Sequence, residues 1–209
     1  RDRVAIVTFA EDVKTLVTFT NDKAKLSASL DTFDAGGATA FYDAVGYTVA
    51  ETLRPIRGER TAIVILTDGD DNRSFLPFDP LVSAVGESGA LIYPLYIPSA
   101  LVAAAETAPD RRVDPLRARY FGLSKRAEGE GERLAKASGG VYFPISQIAE
   151  IDRAYEDIAR QLRAAYDITY RSELAEPDPN RPSPRLRIRV KRPNAQVRID
   201  RVRSEEHTS

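Results

Sequence analysis

The sequence predicts an α/β protein built on a doubly wound, mostly parallel sheet with helices on both faces. Three observations predict it. Short apolar runs alternate with segments of helical periodicity along most of the chain. Those runs are continuous rather than two-residue alternations, the pattern of strands covered on both sides. No internal repeat or second core divides the 209 residues, a length that suits one domain of roughly 100–250 residues.

Residues 4–9 (VAIVTF) form a continuous apolar, β-branched run, as expected of a buried strand. Glu11-Asp12 turns it into residues 13–19, where Val13, Leu16, Val17 and Phe19 suggest a partly exposed neighbouring strand. Thr20-Asn21-Asp22 offers helix caps ahead of Leu26, Leu30 and Phe33, spaced four and three apart. Gly36-Gly37-Ala38-Thr39 breaks that helix. Thr39 can cap the next one, with Tyr42, Val45, Val49 and Leu53 on one face and Pro55 just beyond its end.

Residues 62–66 (AIVIL) are the most apolar run and stop abruptly at Thr67-Asp68-Gly69-Asp70-Asp71-Asn72, a central strand entering a polar loop. Asp79-Pro80 opens a short helix as N-cap and first-turn proline, and Gly89 closes it. Residues 90–97 (ALIYPLYI) form the next strand, with Pro94 marking an edge or a bulge. Residues 98–130, mixed in charge and partly helical, interrupt the alternation and read as an insertion. A helix over 132–138 stops at Gly139-Gly140, ahead of a short strand at 141–143. Ile148, Ile151, Tyr155, Ile158 and Leu162 then recur at three, four, three and four, the stripe of an amphipathic helix.

The last part changes character. Residues 166–171 read as a strand, and 176–184 (EPDPNRPSP) as an irregular loop with four prolines in nine residues. Leu186, Ile188 and Val190 alternate with Arg185, Arg187, Arg189 and Lys191, and Pro193-Asn194 turns the chain toward Val197 and Ile199, which predicts a β-hairpin. The expected organisation is an α/β domain over 1–170, a Pro-rich loop and β-hairpin extension over 171–202, and a tail over 203–209.

Composition narrows the function. With 30 Lys+Arg against 31 Asp+Glu, overall charge does not hold this chain on nucleic acid. Residues 181–203 do carry nine Lys or Arg against Asp200 alone; without interleaved aromatics to stack bases, this reads as the solvent side of the hairpin. The absence of Cys excludes disulfides, a thiol nucleophile and a cysteine-built zinc site. No apolar stretch of about 20 residues is present to span a membrane. The chain lacks Met and enters an apolar run at once, so it reads as a fragment. Residues 203–209 (RSEEHTS) resemble the translation of a sequencing adapter, which leaves the single His, His207, without functional weight.

In open α/β sheets, ligands bind at the carboxyl ends of the strands. Two loops reach that rim with oxygen donors: residues 37–39 immediately before a helix, and residues 67–70 immediately after the central strand. A hydroxyl from Thr39 and a carboxylate from Asp68, with no thiol or imidazole nearby, suit a hard cation such as Mg²⁺. Taken singly, Thr39 is an N-cap and Asp68-Gly69 a common turn. Asp70, Asp71 and Asn72 either steady such ligands from behind or solvate the loop. Asp43 complements the dipole of its helix, with orientation of the Thr39 loop as an additional role.

The stretches DRVAIVTFAEDV, GGATAFYDAV, AIVILTDGDDN and SGGVYF resemble a von Willebrand factor A domain, in particular the bacterial group related to it. The resemblance covers roughly residues 1–170, and the hairpin at 186–202 fits the β extension that group often carries. It implies a Rossmann-like, non-enzymatic adhesion module, exported from the cell, with a metal-ion-dependent adhesion site at the top of the sheet. By the match Thr39 is the second-loop Thr and Asp68 the third-loop Asp, and the open position of the Mg²⁺ takes an acidic residue of a partner protein. The family's Asp-x-Ser-x-Ser motif occurs nowhere in the chain. Truncation by one βα unit, on the order of 30–45 residues, accounts for this and would remove three ligands and a central strand. The chain itself is then expected to bind Mg²⁺ weakly or not at all, and the intact parent to bind it. Two alternatives stand beside this reading. Asp68-Gly69-Asp70 resembles the Asp-x-Asp of aspartate-nucleophile phosphatases, although Asn72 stands where those enzymes carry Thr or Ser. The other is a structural scaffold without an ion.

Overall fold

A computed structural model of the chain describes residues 2–32, 39–56, 58–69, 71–98 and 117–164, with side chains of the last segment from Arg126 onward. The first elements are β1 (Val4–Phe9) and β2 (Val13–Thr20), an antiparallel hairpin in which Val4 faces Thr20 and Phe9 faces Val13. Helix α1 (Lys23–Leu30) follows, capped by Asp22, whose Oδ1 accepts from the N–H groups of Ala24 and Lys25 at 3.0 and 3.1 Å. Helix α2 (Phe41–Tyr47) runs on into a π-helical turn at Thr48–Thr52 and a 3₁₀ turn at Arg54–Ile56. Then come β3 (Ala62–Thr67), α3 (Phe78–Ser88), β4 (Leu91–Tyr96), α4 (Arg117–Ser138), β5 (Phe143–Pro144) and α5 (Ala149–Arg163).

The second sheet is parallel, in the order β3-β4-β5, with Ala62 beside Leu91 and Leu95 beside Phe143. Its strands alternate sides residue by residue, as a pleat requires. Ile65 and Ile92 enter one cluster with Phe41, Tyr42, Val45, Leu81, Val85 and Leu134, drawn from α2, α3 and α4. Leu91, Tyr93 and Leu95 enter the other with Ile145 and with Ala154 and Ile158 of α5. Helices therefore cover both faces, and the fold is the expected α/β arrangement. Each such side chain, fully buried, contributes about 1.5–3 kcal/mol of transfer free energy.

The Ser138-Gly139-Gly140 junction shows how α4 is locked to β4. The Ser138 hydroxyl donates to the Ala135 carbonyl and accepts from the N–H groups of Ile92 and Gly140, at 3.0, 2.9 and 3.2 Å. A Cβ on Gly140 would lie 1.9 Å from the Ile92 carbonyl oxygen, so only glycine allows this approach.

Several local expectations are corrected. β1 is half-buried rather than buried, because its described strand partner is β2 and the neighbouring α1 has no buried residue to seal it. Leu30, expected on the packed stripe of α1, is 57% exposed. Pro94 marks neither an edge nor a bulge: β4 is the middle strand, and β5 pairs only with Leu95 and Tyr96, so no second ladder needs a donor at Pro94. Helix α3 starts before Asp79, with Pro77 as N-cap; Pro80 still falls in the first turn, where its missing N–H has no intrahelical partner to lose. Gly89 closes α3 in the left-handed conformation (φ 67°), as its position predicts. Pro55 sits inside the 3₁₀ turn rather than beyond the helix. The helix expected over 132–138 begins at Arg117, overlapping part of the expected 98–130 insertion. The strand expected at 141–143 is instead Phe143–Pro144. The strand at 166–171, the proline-rich loop, the hairpin at 186–202 and the 203–209 tail lie outside the described residues. Among the described residues, no helix is long and apolar enough to cross a membrane.

Candidate functional site

The expected site lies where β1 and β3 end. The N–H of Ala40, just after Thr39, donates to the carbonyl of Ala10, just after β1, at 2.9 Å. Thr39 and Asn72 then bind reciprocally. The Thr39 N–H donates to Asn72 Oδ1 at 2.9 Å, and the Asn72 N–H donates to the Thr39 carbonyl at 3.1 Å. Two loops separated by some thirty residues of chain are thereby held as one.

Two carboxylates complete the join. Asp71 Oδ2 accepts from the Tyr42 N–H at 2.8 Å and from the Ser74 hydroxyl at 2.5 Å, while its Oδ1 accepts from the Ser74 N–H at 3.1 Å. Asp71 thus serves a free N–H in the first turn of α2 from across the molecule. The expected cap is otherwise placed: Ala40 is the N-cap residue, and no side chain within α2's own cap position bonds to the helix. Asp43 returns the favour. It sits in the first turn of α2, its N–H donates to the Ser74 hydroxyl at 3.0 Å, and its carboxylate accepts from the N–H groups of Phe75 and Leu76 at 2.9 and 2.8 Å. Bonds of this kind to an ionised acceptor contribute about 1.5–3 kcal/mol each.

Asp68 follows β3 directly and is half-buried, as is Thr39. Next to it, the Gly69 N–H donates to the Thr67 hydroxyl at 3.0 Å, and Gly69 has φ +80°. A Cβ there would stand 2.2 Å from the Ala127 Cβ, so α4 presses against the loop. From the same side the Tyr42 hydroxyl donates to Glu130 Oε2 at 2.6 Å, and Glu130 pairs with Arg126 at 2.9 Å. Burial first, and the Glu130 carboxylate second, push the Tyr42 phenol above its ordinary range.

Thr39, Asp68 and Asp71 therefore sit on loops that the fold joins, with Asp43 in the first turn of α2 beside them, while Asp70 lies outside the described residues. Among the described residues, no group of three or more His, Cys, Asp or Glu is gathered closely enough to hold a metal ion. Sequence reasoning passed over Ser74, which binds the Asp71 carboxylate and the Asp43 N–H, and over the alternation that follows Asn72. Arg73, Phe75 and Pro77 are exposed, whereas Ser74, Leu76 and Phe78 are half-buried. The period-two pattern Arg-Ser-Phe-Leu-Pro-Phe was the available signal. Glu130 had none, since its partner is 88 residues away.

Residues 1–70 match the family profile described as the von Willebrand factor type A domain. Similar folds occur among solved structures. An aerotolerance-related membrane protein from Bacteroides fragilis, solved with multiple mutations to serines, aligns at TM-score 0.52 and 21% identity over 79% of this chain and 81% of that one. The conserved hypothetical protein BatB from Bacteroides thetaiotaomicron aligns at TM-score 0.51 and 19% identity, covering 78% of this chain and 80% of that one. Proximal thread matrix protein 1 from the mussel byssus aligns at TM-score 0.50 and 15% identity over 76% of this chain and 34% of that one. No curated protein matches the chain significantly in sequence.

Proposed function

From the match of residues 1–70 to the von Willebrand factor type A profile, we propose that the chain is a protein-interaction module whose joined loops offer Mg²⁺ to an acidic residue of a partner. Thr39 and Asp68 supply a hydroxyl and a carboxylate, the hard oxygen donors this cation takes. Asp43 and Asp71 have a different task. Their oxygens already accept from backbone N–H groups and from Ser74, so they shape the two loops from behind rather than ligate. Asp70 lies between Asp68 and Asp71 in sequence.

The donor set of this chain is small. Mg²⁺ takes six oxygens and usually keeps several waters, so two protein donors leave a weakly held ion with open positions. Such an ion would supply charge and a coordination position for a partner carboxylate, which is binding chemistry without turnover. The observation that carries the reading is the reciprocal Thr39–Asn72 pair, which joins the two donor-bearing loops in the part of the chain where the family match ends.

The test uses Mn²⁺ as a paramagnetic stand-in, because weak binding is visible by NMR line broadening. Low Mn²⁺ should selectively broaden amide signals of residues 39–43 and 67–72, excess Mg²⁺ should restore them, and Asp68→Ala should abolish the effect. Uniform broadening, or broadening unchanged in Asp68→Ala, would leave a metal-free scaffold. Hydrolysis of a generic phosphate ester lost in Asp68→Asn would overturn the binding role in favour of catalysis.

A further inference from the structure

Phe75 is 91% exposed, the most exposed of the large apolar side chains described. Single exposed apolar residues are common and need no explanation. This one differs in how it is held. Its own N–H and that of Leu76 are both anchored to the Asp43 carboxylate, at 2.9 and 2.8 Å. On its other side Ser74 is fixed through three bonds to Asp71 and Asp43. Leu76 and Phe78 pack against the core cluster of α2 and α3, so the segment cannot roll over to hide the ring. Arg73 and Phe75, two residues apart, are both exposed to solvent beside the loop that carries Asp68 and Asp71.

We propose that Phe75 and Arg73 form the specificity surface of the module: an apolar anchor and a positive charge that together select a partner segment carrying a large apolar side chain next to an acidic one. The inference rests on the interaction role argued above and adds the chemistry of the partner. A ring on a pinned backbone loses little conformational freedom on docking, so most of its burial appears as affinity. Aromatic residues and arginine are the side chains that most often dominate such contacts. The exposed Arg73 guanidinium complements a carboxylate in the bidentate geometry that lysine lacks.

The experiment measures fluorescence anisotropy of labelled octapeptides, each holding one Asp or Glu and one Leu or Phe at varied short spacings, with Lys-for-acid and Ser-for-apolar controls. Binding should require both residues of the peptide. Phe75→Ala should weaken it at least about tenfold, equivalent to about 1.4 kcal/mol, and Phe75→Trp should retain it. Arg73→Glu should likewise weaken binding of the acidic-apolar peptides. The exposure of both side chains predicts unchanged thermal unfolding of these variants, which excludes misfolding as the cause. Repeating the titration in EDTA separates the two readings. Binding that persists in EDTA but is lost in Phe75→Ala supports the anchor while sinking the ion; loss in EDTA with no effect of Phe75→Ala does the reverse. Equal affinity for Phe75→Ala and the unaltered chain, or binding by no acidic-apolar peptide, overturns the proposal.

Discussion

β1 and β4 are both six-residue apolar strands, yet five consecutive residues of β4 are buried and none of β1 is. Both are rich in Val, Ile or Leu. They differ in cover. β4 lies between β3 and β5 with helices on each face, whereas β1 has β2 as its described strand partner and the unburied α1 beside it. An apolar run thus announces a strand, while its neighbours decide how much water the strand loses. The two sheets are held to each other at both ends. Arg3, just before β1, donates from one guanidinium nitrogen to both carboxylate oxygens of Glu59, at 2.8 and 2.7 Å. At the other end the Ala10–Ala40, Thr39–Asn72 and Asp71–Tyr42 bonds tie β1, α2 and the loop after β3 together.

The largest test of this contrast compares equivalent truncations. Leu95→Ala, in a fully buried position of β4, should cost about 2–5 kcal/mol in chemical denaturation. Ile6→Ala, in half-buried β1, should cost about 1–2 kcal/mol, because less apolar surface is removed from water to begin with. Equal costs would break the comparison.

Asp71→Ala probes the tie between the sheets and should cost about 1–2 kcal/mol, since the Tyr42 and Ser74 N–H groups lose their acceptor. The same variant should speed hydrogen exchange at Tyr42 and Ser74 while leaving β4 protected. Exchange unchanged at those amides would deny Asp71 its role.

The smallest effect concerns Tyr142, whose buried hydroxyl finds no hydrogen-bond partner among the described residues. Tyr142→Phe should be neutral or slightly stabilising at neutral pH, because it removes an unsatisfied polar group and keeps the ring. At alkaline pH the consequence is larger. Burial foremost raises the pKa of both Tyr42 and Tyr142 above the ordinary value of about 10. The folded state keeps these protons where the unfolded state releases them. The stability they contribute is therefore complete below about pH 10 and is lost as pH rises through the raised values. Unfolding midpoints should fall from about pH 10 upward, and less steeply in Tyr142→Phe.

Much of this was readable beforehand because it depends on near neighbours. The Asp22 cap reaches residues two and three places on, and Gly89 ends α3 through its own backbone. The alternation of strands and helices rests on periodicity alone. The candidate ligands Thr39 and Asp68 were named from strand ends and turn chemistry. Thr39 as a cap, by contrast, was a sound local expectation overruled by a carboxylate from the other loop.

The sequence by itself determined the α/β alternation, the positions of the polar loops at the strand ends and the oxygen-only chemistry that those loops can offer. Only the tertiary structure decided that β4 is interior and β1 half-covered. It also decided that Asp43 and Asp71 serve the backbone, and that Phe75 faces water on a fixed segment. The physical reason is range. Periodicity and caps act over one helical turn or one strand pleat, whereas the bonds that set these features join residues 29 to 33 places apart, brought together by the packing of α2 against the loop after β3.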